Sequence, residues 1–392
     1  MEEIVILSAT RTPLGAFQGA LGAVPAPRLG AVAIKGAVAA AGVAPDGVSD
    51  VVMGNVLQAG QGQAPARQAA RYAGLADSVR AVTVHKVCGS GLQAIMQSAH
   101  ALAAGMGSVF VAGGMESMSL APYLLPKARE GYRLGHQQVV DSLVSDGLWD
   151  PYNNLHMGNC AEQCAAKYAF TREQQDAYAV ASFERANAAQ KDGRFAMEIT
   201  PVEVTDAKGG VTRVEHDESP GKVRYDKIPS LRPAFQKDGT ITPANASSIN
   251  DGAAAVVLTL AASARAKGLK PMARIRGFGA HAQDPVWFTT APVPAARAAL
   301  AAAGWKVADV DLWEVNEAFA VVPMAFMREF DLPHDRVNVR GGAISLGHPI
   351  GCSGARIVVT LLAALRARGL RRGVAAICIG GGEGLAVCVE VL

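Results

Sequence analysis

Short apolar runs alternate with alanine-rich stretches of helical periodicity along the first quarter of the chain. Residues 4–7 predict a buried strand that feeds a loop, and residues 29–41 predict a helix closed by Gly42. The alternation continues with a strand at residues 51–53, a helix at 91–103 and a strand at 108–112. Strands that alternate with helices predict an α/β protein with buried, largely parallel sheets.

The last third of the chain repeats this pattern. Three segments of the first part recur in the same order near the end of the chain. The segments that begin at Ala39, Ser90 and Phe110 resemble those that begin at Ala301, Ser353 and Ala376, respectively. We therefore expect two similar βαβ-type halves that form a layered αβαβα core, with equivalent loops meeting at one site.

The middle of the chain is richer in tyrosine, proline and charged clusters than either half. Thr171 and Gln174 form a capping box that predicts a helix over residues 171–190, and residues 252–258 return to the composition of a buried strand. We expect an N-terminal half at residues 1–118 that is completed by about 250–270, an inserted loop domain at 119–249 and a C-terminal half at 271–392.

Composition limits the class of protein. The chain has 392 residues, of which 50% are hydrophobic and 18% charged, with a formal net charge of +3. Such a chain is not disordered, is long enough for two or three domains, and gives no reason to expect a nucleic-acid partner. Its 6 cysteines are too few for its size to suggest a disulfide framework.

Targeting and membrane segments are not expected. The N-terminus is acidic first and only briefly apolar, which is typical neither of a signal peptide nor of a transit peptide. No apolar stretch free of charges and helix breakers is long enough to span a bilayer, and the C-terminal Val391-Leu392 is not a peroxisomal address. We therefore expect a cytoplasmic protein with reduced thiols.

Two cysteines and one histidine stand beside runs of glycine. Cys88 precedes Gly-Ser-Gly and a predicted helix, whose N-terminus would lower the pKa of its thiol, and it follows a predicted strand at residues 83–87. His348 lies in a glycine cluster, and Cys378 ends an apolar run before three glycines. In a functional interpretation Cys88 is a nucleophile, His348 a base or oxyanion donor, and Cys378 a second reactive thiol. In the alternative interpretation the two cysteines are packing residues and His348 is a structural residue.

Other motifs allow fewer chemistries. Asn316 and Glu317 follow a strand-like segment and either position a water molecule or cap a helix. The glycine runs contain neither a Walker loop nor a Gly-x-Gly-x-x-Gly at a clean strand-to-helix turn, so a nucleotide cofactor is not expected. His156, Cys160 and Cys164 have helical spacing and no fourth ligand, which favours a helix face over a metal site.

Taken together, these segments resemble the thiolase family over essentially the whole chain. The matching segments occur in order at residues 8–15, 87–92, 112–118, 316–319, 341–349 and 378–382. Each motif alone is weak, but the ordered set is highly specific. The resemblance implies a thiolase fold and an acyl-CoA C-acyltransferase that makes or cleaves 3-ketoacyl-CoA, above all acetoacetyl-CoA from two acetyl-CoA.

The resemblance also implies roles for individual residues. Cys88 would be the nucleophile that becomes acylated, His348 its activating base, and Cys378 the thiol that moves the proton of the second substrate. Asn316 would hold a water molecule that forms one oxyanion site with His348, and the backbone N–H groups of Cys88 and Gly380 would form the other.

Coenzyme A and acyl-CoA are the implied ligands, without a permanently bound cofactor or metal. The inserted segment would bind coenzyme A, together with Phe319, through Leu148, His156, Met157, Phe235, Ala244 and Ser247. The resemblance further implies a homodimer, or a homotetramer in which residues 123–141 pair two dimers.

Several positions depart from the family pattern and leave alternatives open. His85 and Arg340 stand where asparagine is frequent, and Phe288 stands where short-chain members often carry methionine. A degradative thiolase for longer chains therefore remains an alternative. A decarboxylating ketoacyl synthase is disfavoured by Cys378, and a thiolase-like lipid-binding protein by the complete set of reactive groups.

Overall fold

A computed structural model describes residues 2–206 and 208–392 of the chain. Its strands are β1 Ile4–Arg11, β2 Gly15–Ala16, β3 Asp50–Gly54, β4 Arg80–Val84, β5 Val109–Ser117, β6 Tyr123–Leu124, β7 Val140–Asp141, β8 Trp149–Asp150, β9 Leu155–His156, β10 Val202–Thr205, β11 Val211–Val214, β12 Asn250–Leu260, β13 Ala273–Ala282, β14 Leu312–Val315, β15 Arg372–Ile379 and β16 Glu383–Val391. Its α-helices are α1 Ala26–Ala41, α2 Pro65–Tyr72, α3 Ser90–Ala103, α4 Met157–Tyr168, α5 Arg172–Lys191, α6 Ala261–Ala266, α7 Pro292–Ala303, α8 Val321–Phe330, α9 Ala343–Leu346 and α10 Ile350–Ala367.

The main strands form one long, mixed sheet in the order β14-β15-β16-β13-β1-β12-β5-β3-β4. The expectation of largely parallel sheets was wrong, because β12 pairs antiparallel with both β1 and β5. β12 and β5 are nevertheless buried along almost their whole length. Burial on both faces produces a continuous apolar run whatever the direction of the neighbouring strand, so sequence pattern alone does not distinguish the two arrangements.

The internal repeat is confirmed in the order and direction of the strands. β3 pairs parallel with β5 in the first half, as β14 does with β15 in the second. The helices α1 and α7 both end at a glycine in the left-handed region, Gly42 with φ 66° and Gly304 with φ 67°. This conformation ends a helix at little cost only when the residue lacks a Cβ.

Five layers follow from these repeats, as predicted. α3 and α10 pack against each other in the middle layer, and α10 also contacts strands of both halves. α1 covers the outer face of the first half, and α7 that of the second. Among the described residues, the two halves of the sheet are paired at two positions of β1 and β13, Val5 with Arg274 and Ile6 with Ala273. The middle helices therefore supply most of the packing between the halves.

One helix is apolar enough to attract attention as a membrane span. α10 has 18 residues with a mean hydropathy of 1.5, but 89% of it is buried inside the protein. It therefore has the position of a core helix, and its length and composition are weak grounds for a span.

The segment between β5 and β12 leaves and re-enters the sheet at neighbouring positions. Ser117 at the end of β5 is paired with Asp251 near the start of β12. The intervening chain contains α4 and α5, and the predicted capping box of Thr171 and Gln174 is present at the start of α5. It also carries the hairpin of β6 and β7, whose connecting residues are exposed.

Candidate active site

A strained turn presents Cys88. The preceding strand ends at Val84 rather than at residue 87 as predicted, and α3 begins at Ser90. Between them Val87 has φ 43°, a conformation that is costly for a β-branched residue. The Ser90 hydroxyl donates to the Val87 carbonyl at 2.6 Å and accepts from the Lys86 N–H at 2.8 Å. These bonds hold the turn that places Cys88 beside the start of α3.

Burial dominates the acidity of Cys88. It raises the pKa of the thiol to about 11, although hydrogen bonds from backbone N–H groups, among them that of Gly380, lower the pKa in part. The expectation that the helix N-terminus lowers this pKa overall was wrong, because desolvation of the charged thiolate outweighs the nearby dipoles. Cys88 therefore rests as a thiol and needs a base to react.

His348 has the protonation state of such a base. Its Nδ1 lies 2.6 Å from the Ser353 hydroxyl, which donates to the Pro349 carbonyl at 3.0 Å. Because that hydroxyl has one proton, Nδ1 carries the imidazole hydrogen and Nε2 has a free lone pair. Nε2 is buried and has no hydrogen-bond partner among the described residues. Burial and the charge of Arg356 lower the pKa of His348 to about 3, so the ring is neutral at pH 7.

Cys378 and Gly380 lie at the end of β15. Cys378 is fully buried, and burial followed by the nearby charge of Cys88 raises the pKa of its thiol well above the ordinary value. The chain then turns through Gly381 with φ 91° and Gly382 with φ 85°, which glycine adopts without strain. The structure thus brings Cys88, Cys378 and the Gly380 N–H together from the two halves.

Asn316 has an unusual side chain. The residue is fully buried, and neither its Oδ1 nor its Nδ2 has a hydrogen-bond partner among the described residues. Its N–H donates to the carbonyl of Ala376 at 2.9 Å, which fixes the residue beside β15. Buried amides in folded proteins are normally hydrogen-bonded, so this side chain can serve a substrate or a bound water molecule.

Glu317 has a structural role. Its carboxylate accepts from the Tyr178 hydroxyl at 2.9 Å, the Ser182 hydroxyl at 2.7 Å and the Ile344 N–H at 3.1 Å. It does not cap α8, which begins four residues later at Val321. Glu317 instead ties the segment before His348 to α5 and to the end of β14.

Glu116 is a functional-site residue that sequence reasoning did not single out. Its buried carboxylate accepts from the N–H groups of Val56, Leu57 and Gly351 and from the Asn55 amide at 2.7 Å. It thereby fixes the first turn of α10 at Gly351, three residues after His348. Ser353 was missed as the partner of His348, although its position on the first turn of a helix after the histidine was visible in the sequence.

Cys88 and His348 line a cavity of about 250 Å³ together with Gly380. Of the residues predicted to contact coenzyme A, the following line it: Leu148, His156, Met157, Phe235, Ser247 and Phe319. Ala244 lies outside this lining, and its N–H donates to the Thr242 hydroxyl at 3.3 Å. The other wall residues are Met118, Gly147, Ala246, Ser248, Ile249, Phe288, Ala318 and Ile350, of which the sequence had singled out only Phe288.

Aromatic rings shape one wall of this cavity. His156 stacks on Phe235 with ring centroids 4.8 Å apart, and Phe319 contacts both Phe235 and Phe288 edge to face. A Cβ at position 158 would come within 2.3 Å of the Phe235 ring, so Gly158 permits this packing. The wall is apolar and suits a narrow acyl or pantetheine chain better than a charged group.

Metal-binding arrangements are not found in the described ranges. Residues 2–206 and 208–392 contain no group of three or more histidine, cysteine or acidic side chains that could hold a metal ion. Cys160 and Cys164 are buried on one face of α4 and pack in the core of the second half, as their spacing predicted.

A cysteine and an imidazole that line an apolar cavity between two similar α/β halves, with a second thiol buried beside the cysteine, define a class of thiol-dependent acyl-transferring enzymes. Comparison with known proteins gives the particular family. The thiolase N-terminal domain matches residues 4–262, and the thiolase C-terminal domain matches residues 269–391. The chain belongs to the thiolase family and is an enzyme, and the fold inferred from the sequence is confirmed.

Relatives and solved structures agree along the full length. Acetyl-CoA acetyltransferase of Cupriavidus necator is 50% identical over 391 residues and 100% of both chains. Acetyl-CoA acetyltransferase 2 of Arabidopsis thaliana is 51% identical over 100% of this chain and 97% of the plant protein. The crystal structure of the Bacillus anthracis acetyl-CoA acetyltransferase has a TM-score of 0.98 at 41% identity, covering 100% of this chain and 99% of its own. Acat5 thiolase from Ascaris suum, in complex with coenzyme A, has a TM-score of 0.94 at 43% identity and covers 100% of both chains.

Proposed function

We propose that this thiolase is an acetyl-CoA C-acetyltransferase that makes acetoacetyl-CoA and coenzyme A from two acetyl-CoA, and that cleaves acetoacetyl-CoA in the reverse direction. The names of the full-length relatives support this activity. The observation that carries the mechanism is the neutral His348 with a free Nε2 in the same cavity as the Cys88 thiol.

The first half-reaction transfers an acetyl group to Cys88. Nε2 of His348 takes the thiol proton, and the sulfur attacks the thioester carbonyl of acetyl-CoA. The carbon–sulfur bond to coenzyme A breaks, and the departing thiolate takes its proton from the Cys378 thiol, which leaves a Cys378 thiolate and a protonated His348. One thioester replaces another, so this step is nearly balanced in free energy and needs no redox cofactor or metal.

The second half-reaction forms a carbon–carbon bond. The Cys378 thiolate formed in the first half-reaction takes a proton from the methyl group of a second acetyl-CoA, and the resulting enolate carbon attacks the acetyl group on Cys88. The bond between the acetyl carbon and the Cys88 sulfur then breaks, which releases acetoacetyl-CoA, and the Cys88 thiolate takes back its proton from the His348 imidazolium. The closeness of the two thiols supports this division, since the charge of Cys88 contributes, after burial, to the raised pKa of Cys378.

Two oxyanion sites stabilise the charges that develop. The N–H groups of Cys88 and Gly380 are directed at the carbonyl oxygen of the acetyl group, and the Gly380 N–H already lies within reach of the Cys88 sulfur. Nε2–H of the protonated His348, with a water molecule held by Asn316, stabilises the enolate oxygen. Fixed donors of this kind are worth about 2.7–4 kcal/mol each in transition-state stabilisation.

The aromatic wall and the inserted segment bind the coenzyme A moiety. Leu148, Met157 and Phe319 contact the pantetheine chain in this proposal, and Ser247 and His156 line the same cavity. Coenzyme A acts as a substrate and product rather than a permanently bound cofactor. We further propose that the enzyme works in the cytoplasm.

Two other functions make different demands on the site. Phe288, at the cavity wall, favours a small acyl group over the chains of a degradative thiolase, because its buried ring occupies space next to Phe319. A lipid-binding protein without catalytic activity would not need the thiols of Cys88 and Cys378 in addition to His348. Thiolysis rates with acetoacetyl-CoA and with longer 3-ketoacyl-CoA substrates separate these functions.

One experiment tests the mechanism. Cys378→Ala, incubated with acetyl-CoA, should carry an acetyl group on Cys88 by mass spectrometry, yet it should not condense or return the group to added coenzyme A at the wild-type rate. The loss should be about 10²–10⁴-fold, which is typical of a missing general base. Cys88→Ala is the control and should show neither acetylation nor activity. Acetylation at another residue would refute the mechanism.

A homodimer or homotetramer completes the proposal. The loop between β6 and β7 exposes large apolar side chains, with Leu134 103% exposed and Leu125 55% exposed. Exposed apolar side chains clustered on one protruding loop favour a contact with a second copy of the chain.

A further inference from the structure

The strained turn before Cys88 contains a hydrogen bond to His85, a residue to which the proposed mechanism assigns no role. The Val87 N–H donates to Nδ1 of His85 at 3.2 Å, so the imidazole closes a small ring over the peptide that carries the positive φ. Aspartate and asparagine stabilise turns in the same way, because their side-chain oxygen accepts a hydrogen bond from the backbone N–H two residues further along the chain. Here a histidine takes that position.

Other contacts of the turn involve groups other than the Val87 N–H. Ser90 holds the carbonyl of Val87, and the Lys86 ammonium pairs with Glu383 at the start of β16. Neither reaches the N–H of Val87. His85 therefore supplies the acceptor for the N–H of Val87, the residue with the positive φ.

The orientation of Val87 matters for the reactive sulfur. A Cβ at position 380 would lie 3.5 Å from Val87 Cγ1, so the Val87 side chain rests against the Gly380 loop. The Cys88 sulfur in turn accepts the Gly380 N–H, which lowers the pKa of the thiol. If the backbone at Val87 changed conformation, both the contact of Val87 with the Gly380 loop and the contact of the Cys88 sulfur with the Gly380 N–H would shift.

We propose that His85 is a positioning residue for Cys88, which acts by holding the Val87 peptide so that the Cys88 sulfur stays against the Gly380 N–H. This inference rests on the proposed function of Cys88 as the nucleophile. This role does not require His85 to contact the substrate.

The bond depends on a neutral imidazole, because a protonated ring has no lone pair at Nδ1. Burial lowers the pKa of His85, while the carboxylate of Asp146 raises it in part; Lys86, its neighbour, is paired with Glu383. Since the folded pKa lies below the ordinary value, the bond is complete at neutral pH and is lost only as the pH falls into the acidic range. Asp146 belongs to the segment 143–148 that contributes Gly147 and Leu148 to the cavity.

The test compares His85→Asn with His85→Ala. Asparagine can accept the same N–H through Oδ1, whereas alanine cannot. His216→Asn, at an exposed histidine outside both the cavity lining and the β6–β7 loop, is the matched control. The first measurement is the rate at which iodoacetamide alkylates Cys88 without any acyl-CoA, and the second is kcat and KM for thiolysis of acetoacetyl-CoA.

His85→Ala should alkylate about 3- to 10-fold more slowly at pH 8 and lose kcat by a similar factor with KM unchanged, as for the loss of one hydrogen bond. His85→Asn should stay within about twofold of the wild type and should lose less activity than the wild type when the pH falls from 7 to 5. Wild-type alkylation in His85→Ala would overturn the proposal, as would an asparagine variant as slow as the alanine variant. Because alkylation needs no substrate, a failure of the proposed enzymatic function would leave this readout intact.

Discussion

Burial keeps the reacting side chains neutral. It raises the pKa of Cys88 to about 11 and lowers that of His348 to about 3, so at pH 7 the pair is a thiol and a neutral imidazole. A preformed thiolate–imidazolium pair would need the opposite order of pKa values. The proton therefore moves to His348 during attack, which spares the free enzyme from an exposed reactive thiolate.

The pH dependence of alkylation follows from this order. A group whose pKa is raised binds its proton more tightly, so thiolate forms only as the pH approaches the raised value. We expect the rate of iodoacetamide alkylation of Cys88 to be low at pH 7 and to rise up to at least pH 10, measured by mass spectrometry. A rate that reaches a plateau below pH 6 would instead indicate an ion pair.

Ser353 should affect catalysis through the tautomer of His348. Ser353→Ala removes the acceptor of the Nδ1–H, so Nε2 carries the proton in part of the molecules and cannot act as a base. We expect kcat/KM to fall about 3- to 10-fold, as for the loss of one hydrogen bond. Ser98→Ala is the control, since Ser98 is also fully buried but its hydroxyl has no partner among the described residues. Equal effects of the two substitutions would exclude this role.

Sequence motifs identified the residues with distinctive neighbours and missed those defined by the fold. Cys88, His348 and Gly380 stand beside glycine runs and line the cavity as predicted. Ser353 and Glu116 act through contacts with residues that the sequence pattern does not connect to them. The acidity of Cys88 was misjudged because a helix start is visible in sequence, whereas desolvation depends on side chains from distant segments.

At the scale of elements, two helices meet closely behind the reacting groups. A Cβ at Gly91 of α3 would lie 2.7 Å from the N of Ala355, and one at Gly354 of α10 would lie 2.4 Å from the N of Leu92. Both neighbours are backbone atoms that cannot turn aside. The two glycines let the helices that start near Cys88 and His348 run side by side.

Gly354→Ala should therefore separate these helices. We expect the free energy of unfolding to fall by about 1–3 kcal/mol, the usual cost of overpacking a core, as measured by urea denaturation. Gly221→Ala is the matched control, because no atom lies within 4 Å of the Cβ it would add. If both variants unfold at the same urea concentration, the close approach is not required for stability.

The layered arrangement was predicted better than the strand directions within it. Repeated helix–glycine and strand–glycine segments revealed two halves, because such segments must recur wherever the same turn recurs. Strand direction was missed because β12 is apolar along its whole length and antiparallel to both neighbours. The bounds of the inserted segment stay a prediction from composition.

At the scale of the whole molecule, the hairpin of β6 and β7 is the element most suited to assembly. Leu125→Glu combined with Leu134→Glu places charges on its exposed apolar loop. We expect the wild type to be a tetramer by light scattering and this variant to be a dimer with unchanged thiolysis, since neither residue lines the cavity. A wild-type monomer at micromolar concentration would refute the assembly, and an unchanged tetramer would exclude the loop.

The division of the sheet into two halves also divides the reacting side chains between them. Cys88 lies in the first half, and His348 and Cys378 lie in the second, while the strands of the two halves are paired at two positions in the part of the chain that the structure describes. Neither half alone carries a complete set of reacting groups, so the two halves expressed as separate chains would have to associate before any turnover. The rate of catalysis therefore reports how accurately the two halves are docked.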